Sequence, residues 1–472
     1  MVPADQGGGV MRADLLTGTV AGLDEALTAV DGFDRALAGG LLRPGPAEAA
    51  GLTGLADAVA GTPLADRVAG AAGKAAAGVA SEEDFLALAA ARAALLGSVH
   101  DALVARADEV TGRDRGRDTA PPDTGRHPAN LLAAARSWLS DLARCGWRGI
   151  DHETVSGAAH VVSAMLPDPA LRRQATLLDG FAAELAASCP GASLDRVPSR
   201  RWGDLWSRAM LLTLPGATAT APAGTATGRL LPLGVDVQEH ATAVQAQVHA
   251  VFEPADGTAP RLVRAAVSVP KPDTVVGAGL WQLLRPHMSL LAAVGEGRAM
   301  ELSGMPVTVE GDLLWSDAHA RPGEPADAFA TARVVLPTAT EAATAPLDRH
   351  PARIAVPVFL EGYTALETDG VLTFTVAGHP LAVDTDRIPA AGPLTPEAVA
   401  ASGACIGLLR WDAGTFGVQP LAVETTVRKK AVVLHAGGWA GGTTDKAGLR
   451  AEKAATDAVA VLRERAGRLL RK

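Results

Sequence analysis

The chain has 472 residues, 48% of them hydrophobic and 4% aromatic, with 43 Lys and Arg against 52 Asp and Glu for a formal net charge of −9. That hydrophobic share excludes global disorder, and the length exceeds a single typical core. The acidic balance argues against general affinity for nucleic acid, whose phosphates demand a basic surface.

Three widely spaced cysteines, Cys145, Cys189 and Cys405, form no CxxC pair and no disulfide framework, which fits a reducing compartment. Met1-Val2-Pro3-Ala4-Asp5-Gln6 and the three glycines after it carry neither the basic nor the apolar region of a signal peptide. The longest apolar stretch, Phe85 to Val99, is interrupted by Arg92 and falls short of the roughly 20 residues that span a bilayer. The expectation is a soluble cytoplasmic protein with no membrane span.

The texture of the chain changes near residue 214. After a tail over residues 1–9, apolar positions at three- and four-residue steps predict a helix from Met11 to about Leu42, broken near Asp31-Gly32. Helical blocks follow at Ala47–Ala60 and Pro63–Val79. A long helix opens at Ser81, a capping residue with acids in the first turn behind it. Residues 112–128 read as a mobile charged loop. Asn130 is placed to cap the next helix, and helices around His152–Leu166, Pro169–Ser188 and from Pro198 complete an α-helical domain over 10–213.

Residues 214–228, small and unable to bury anything, read as a linker. Period-two alternation then takes over. Ala243–Phe252 and Leu262–Val269 form a hairpin across Asp256-Gly257. Further strands are predicted at Pro306–Glu310, Thr331–Leu336, Ile354–Leu360, Val371–Val376, Ile406–Trp411 and Val418–Thr426, with short helices near Gly279–Val294 and Pro396–Ser402. This gives a β-rich domain over 229–436. Residues 437–472 read as a glycine linker and an amphipathic C-terminal helix. The fold class expected is α+β, with a helical N-terminal half and a mainly antiparallel C-terminal half.

No motif carries chemistry. Gly277-Ala278-Gly279 lacks the third glycine and the βαβ setting of a dinucleotide site, and Thr443 stands where a Walker loop needs lysine. His152 and His160 are too far apart for the usual zinc helix, and Asp384 with Asp386 reads as a solvated turn. No cofactor and no metal are expected. Trp202 and Trp206 beside Arg200 and Arg201 form an aromatic-basic cluster, readable as a partner anchor or as helix packing against the strand half beyond the seam, the latter favoured. The terminal helix, with Leu462 and Leu469 in its stripe and Arg465 and Arg468 at its cationic end, suits docking on an acidic partner. Asp236, His240, His249 and Arg285 are the polar candidates for a site between the halves.

Three stretches, Arg200–Trp206, Val276–His287 and Cys405–Trp411, resemble a family of uncharacterised actinobacterial proteins encoded near SWIM zinc-finger proteins, MoxR-type AAA+ ATPases and von Willebrand A-domain proteins. The SWIM, Walker and A-domain metal motifs are themselves absent. The resemblance therefore implies an accessory: a non-enzymatic scaffold or adaptor whose partners are other proteins, an AAA+ ATPase or an A-domain protein among them. An enzyme or small-molecule-binding protein with a site between the two halves is the alternative.

Overall fold

A computed structural model describes residues 12–116, 129–191, 194, 197–217, 222–427, 430–444 and 446–469. The helical half comprises α1 (Leu23–Gly39), α2 (Pro46–Ala58), α3 (Ala65–Ala76), α4 (Glu82–Thr111), α5 (Ala129–Cys145), α6 (His152–Ser156), α7 (Ala159–Met165), α8 (Arg172–Ser188) and α9 (Ser199–Leu211). Ser81 caps α4 as its sequence requires: its Oγ accepts from the Asp84 amide, and the Asp84 carboxylate accepts from the Ser81 amide.

The first sheet carries β1 (Gly224–Glu239), β2 (Ala243–Pro254), β3 (Arg261–Pro270), β4 (Arg298–Val307), β5 (Asp312–Leu313) and β6 (Ala320–Pro325), with α10 (Leu280–Leu283) and α11 (Met288–Glu296) between β3 and β4 and α12 (Ala328–Val334) after β6. Its pairings run β1-β2-β3-β5-β4, and β4 returns to pair with β1, so the strands close into a small ring with β6 beside β4. The second sheet holds β7 (Val356–Glu361), β8 (Thr364–Thr368), β9 (Val371–Val376), β10 (His379–Val383), β11 (Ser402–Asp412), β12 (Thr415–Val427) and β13 (Lys430–His435), with α13 (Pro396–Ala400) ahead of β11. Pairing is antiparallel except between β3 and β5 and between β10 and β12. The last element is α14 (Lys446–Leu469). The fold is thus the α+β class expected, helices first and mainly antiparallel strands after.

Three cores hold the described residues together, a small one around Leu233, Val251, Phe329 and Ile406 and two large ones. One lies among the helices, around Phe33, Leu88, Leu139, Phe181 and Trp206; the other fills the ring and both sheets, around Leu230, Val248, Met300, Phe374 and Leu409. Helix α4 belongs to both: Phe85 to Ala91 pack in the first, Val99, Leu103, Val104 and Ala107 in the second. This helix is long and apolar enough to cross a membrane by composition, and it is mostly buried within the protein, as a core helix is.

Several local expectations are corrected. Thr331–Leu336 is helix α12 and its end, because Asp327 caps it through the Phe329 and Ala330 amides and Phe329, Ala332 and Leu336 bury at helical spacing. Helix α1 runs unbroken through Asp31-Gly32. The close approach there is set by Gly51 of α2, where a Cβ would lie 2.4 Å from the Gly32 carbonyl oxygen, whereas a Cβ on Gly32 would meet Gly51 Cα at an ordinary 3.7 Å. The break comes earlier, at Gly22, whose φ is 77°. Asn130 lies inside α5 rather than capping it.

Strand β1 begins at Gly224, within the stretch read as a linker. The 437–442 segment is a packed turn, with Trp439 and Ala440 buried and Gly437 so close to Val235 that a Cβ would sit 2.7 Å from its Cγ1. Of the charged loop, Arg113 and Arg115 are anchored on Glu341 and its neighbours, and residues 117–128 lie outside the described residues.

Candidate functional site

A row of side chains crosses the outer face of the first sheet. Register places His249 of β2 opposite Gly234 of β1 and Arg264 of β3, and Arg264 opposite Asp312 of β5. The flanking Val248, Ala250, Val263 and Ala265 belong to the ring core, so strand alternation turns His249 and Arg264 the other way. Arg264 grips Asp312 through Nε at 2.8 Å and Nη2 at 3.1 Å.

Over this row lies the connection between the two sheets, residues 341–354, with short helical turns at Pro346–Asp348 and Pro351–Arg353. It acts as a polar strap against the helical half. Glu341 accepts from Arg113 Nε at 3.0 Å and Nη2 at 2.5 Å. Asp348 Oδ1 takes both Arg173 of α8 and, at 3.1 Å, Nη2 of Arg353. The His350 ring ties the strap to α9: Nδ1 accepts from the Ala352 amide at 3.1 Å, so Nε2 carries the proton and donates to Asp204 Oδ1 at 3.1 Å. Both ring nitrogens are committed, which leaves His350 no free base.

Behind Asp204 stands a buried ion cluster. Arg92 of α4 meets Asp34 of α1 through Nε and Nη2, each at 2.7 Å, and Asp204 through Nη2 at 2.6 Å. Gly203 makes room for it, since a Cβ there would lie 2.3 Å from Asp34 Oδ1. Burial lifts the Asp34 carboxyl to about 6 even against Arg92.

Water reaches the charged side chains between strap, helices and sheet, a space we term the cleft. Arg264, Asp348 and Arg353 each keep about a third of their side-chain surface, 33%, 32% and 33%, yet burial is the largest influence on the ionisation of all three. Four guanidiniums, Arg173, Arg208, Arg264 and Arg353, meet two carboxylates, Asp312 and Asp348, within mutual electrostatic range. Burial lowers Arg353 to about 10; Asp348 opposes this, while Arg173, Arg208 and Arg264 add to it. Arg208 of α9 is lowered by burial, with Asp204 opposing and Arg173 reinforcing, and its guanidinium makes no hydrogen bond or ion pair among the described residues. The buried Nε–H of Arg353 is likewise without an acceptor. Against the burial that raises it, Arg173 and Arg353 hold the Asp348 carboxyl down to about 2.

Of the four polar residues proposed for a site between the halves, two reach this face. His249 is buried beside Arg264 with its Nε2 unpartnered, and burial, reinforced by Arg264 and Arg410 against Asp236, pulls it down to about 3, so the ring is neutral. Asp236 lies between the sheets, bonded to Gln419 Nε2 at 2.8 Å and Arg410 Nη2 at 3.1 Å, where it pins one sheet to the other. His240 sits at the β1–β2 turn on Thr242, 4.0 Å from Asp179. Arg285 is exposed on the Arg285–His287 turn.

The partner contacts read from the sequence are corrected in part. Trp202 and Trp206 are buried and unavailable to a partner: Trp202 packs edge-on to Trp147 at 6.2 Å and Trp206 donates to the Leu139 carbonyl at 2.9 Å. Both pack within the helical core rather than against the strand half. Arg201 is exposed and paired with Glu184. Helix α14 is tethered by Gln282, whose Nε2 donates to the Glu452 carbonyl at 3.2 Å and Thr456 Oγ1 at 3.0 Å, and Arg465 is exposed farther along. The side chains of Leu462, Arg468 and Leu469 lie outside the described residues.

The arginines of the cleft escaped sequence reasoning because they come from four separate elements with no shared period. The chain matches no family model, no curated protein and no solved structure.

Proposed function

We propose that the protein binds a small anion in the cleft between its helical half and its first sheet. The observation that supports this is the Arg208 guanidinium, which makes no hydrogen bond or ion pair among the described residues and lies in electrostatic range of Arg173 and Arg353, in a chain whose net charge is −9. Isolated buried cations are costly, and proteins pair them or supply them with a ligand. The cluster keeps about a third of its side-chain surface open to water, and its donors come from α8, α9, β3 and the strap. The histidines at hand favour binding over proton transfer, since His350 is fully committed and His249 is held neutral far below physiological pH.

The test is calorimetry with sulfate on the wild-type chain and on Arg208→Gln. Binding to the wild type, weakened about 10- to 100-fold by the substitution, is expected from the loss of charge-assisted hydrogen bonds. Binding of equal strength to both proteins sinks the proposal.

A second reading, the adaptor, rests on α14. The helix is pinned near Glu452 and Thr456, while Leu449, Val461 and Arg465 remain exposed to a partner. A partner pulldown from an actinobacterial lysate that loses a MoxR-type ATPase or A-domain protein when residues 443–472 are removed supports it; an unchanged set of prey refutes it.

A further inference from the structure

The geometry points to a further binding site at one end of the strand ring, whose ligand is a neutral saccharide. Strand pairing of β1 with β2 ends at Gly228 and Pro254, and the chain turns at Asp256-Gly257 before β3 begins at Arg261. A cavity of about 520 Å³ opens there, lined by Thr225, Thr227, Phe252, Asp256, Thr258 and Arg261 among others. That volume lies within the range of small-molecule sites. The cavity shares no residue with the cleft.

The turn fixes a carboxylate at the rim. Gly257 takes a φ of 76°, and Asp256 Oδ1 accepts from the Thr258 amide at 3.0 Å and the Thr258 hydroxyl at 2.7 Å. These bonds hold the Asp256 carboxyl below the usual carboxylate range, so it is ionised at neutral pH. Its Oδ2 makes no hydrogen bond among the described residues. Register places Arg261 opposite Phe252, and the guanidinium lies 5.4 Å over the ring centroid, held by the aromatic face. Phe252 is buried, whereas Arg261 is exposed and makes no hydrogen bond or ion pair among the described residues. The Leu262 amide donates to the Thr340 carbonyl at 2.9 Å and anchors β3 beside it. The Thr227 hydroxyl accepts from the Gly304 amide at 2.9 Å and keeps its own proton to give, and the Thr225 hydroxyl is unclaimed among the described residues.

These groups select a ligand by what they require of it. A carboxylate or phosphate only accepts and would meet the Asp256 charge, and an ammonium only donates and would meet Arg261. A sugar hydroxyl donates and accepts, so one molecule gives protons to Asp256 and takes them from Arg261 and the threonines. The charged residues of the lining are one of each sign, which suits an uncharged ligand. Hydrogen bonds to ionised partners are the stronger kind, and they need no charge on the ligand. A zwitterionic amino acid also answers both charges, but exposed ion pairs are screened and weak, and a small one leaves much of the cavity unfilled. A sugar ring fixes its hydroxyls in one array and loses less freedom on binding than an open-chain polyol.

The experiment is saturation-transfer NMR and isothermal calorimetry of the full chain with glucose, galactose, maltose, cellobiose and lactose, and with glycine and sulfate as charged probes. Thr225→Val keeps the side chain's shape without its hydroxyl, and Arg261→Lys keeps the charge without the planar fork. Circular dichroism checks both folds, and two variants are used so that one misfolded protein does not remove the comparison. The expected result is a sugar that binds the wild type and Arg208→Gln alike, and about tenfold more weakly in each folded variant of the site. Its affinity should stay flat as NaCl rises from about 50 to about 500 mM, since no charge on the ligand is screened. Glycine or sulfate binding more tightly than every sugar, with a dependence on Arg261, overturns the saccharide assignment. Sugar binding that either folded variant leaves intact overturns the site, and absence of sugar binding overturns the proposal. The anion cleft stands or falls separately, on sulfate and Arg208→Gln.

Discussion

Replacing Arg92 by leucine tests the account of the buried ion cluster. The guanidinium is fully buried and holds Asp34 at 2.7 Å twice, Asp204 at 2.6 Å and the Ser207 hydroxyl at 3.2 Å. Its loss leaves Asp34 buried without a cation, while Asp204 retains His350. Removing one partner of such a pair costs about 3–5 kcal/mol, and that is the loss expected at neutral pH.

The pH dependence is more specific. Asp34 has a folded value of about 6 against 3.8 for the ordinary carboxyl, so the folded state holds a proton between those values that the unfolded state has lost. The contribution to stability therefore falls as pH rises through that window and levels off above it. Without Arg92 the folded value climbs further and the fall continues past pH 6, adding about 1.4 kcal/mol per pH unit up to the new value. The penalty of the substitution must therefore be smaller at pH 5 than at pH 8. Urea unfolding followed by tryptophan fluorescence reads it, because Trp147, Trp202 and Trp206 pack in the same core. A penalty below about 1 kcal/mol, or one that does not change with pH, would falsify the reasoning.

Three further outcomes are expected. His249 is depressed from 6.5 to about 3, so its contribution is complete above pH 6.5 and is lost as pH falls towards 3, at about 1.4 kcal/mol per unit. His249→Gln should flatten the acid limb of the thermal midpoint against pH over that range, and an unchanged slope contradicts the assignment. Gly203→Ala drives a methyl into Asp34 and should cost about 1–3 kcal/mol in urea unfolding; a neutral result shows that the carboxylate moves freely. Glu341→Ala removes the buried partner of Arg113 and should speed tryptic cleavage in the strap, at Arg349 or Arg353. Equal cleavage rates would mean the strap is held elsewhere.

The gross division of the fold was legible because it is written in periods. Helical spacing marks α1, the Ser81 cap marks α4, and alternation marks β2 and β3, whose hairpin register pairs Ala246 with Val267. Segments buried on both faces lose that signature: β1 shows a nearly continuous buried run from Leu230 to Val237, with no alternation to read. Close packing hides behind glycine in the same way. Gly437 reads as part of a linker because glycine signals freedom in a sequence, and here it marks contact. The cleft was illegible for a different reason. Arg173, Arg208, Arg264 and Arg353 become neighbours only once helices, ring and strap have docked, and charge on separate elements leaves no local pattern.

Helix α4 lends one end to each large core, and this makes the seam near residue 214 a boundary of texture rather than of mechanics. A helix of 30 residues is a beam about 45 Å long, and a beam clamped at both ends transmits rotation. The helical half cannot tilt over the first sheet without dragging Val99, Leu103 and Val104 out of the packing they share with it. Severing the chain at the seam therefore strips the strand half of part of its interior, so the two halves are not modules that evolution or an engineer can exchange separately.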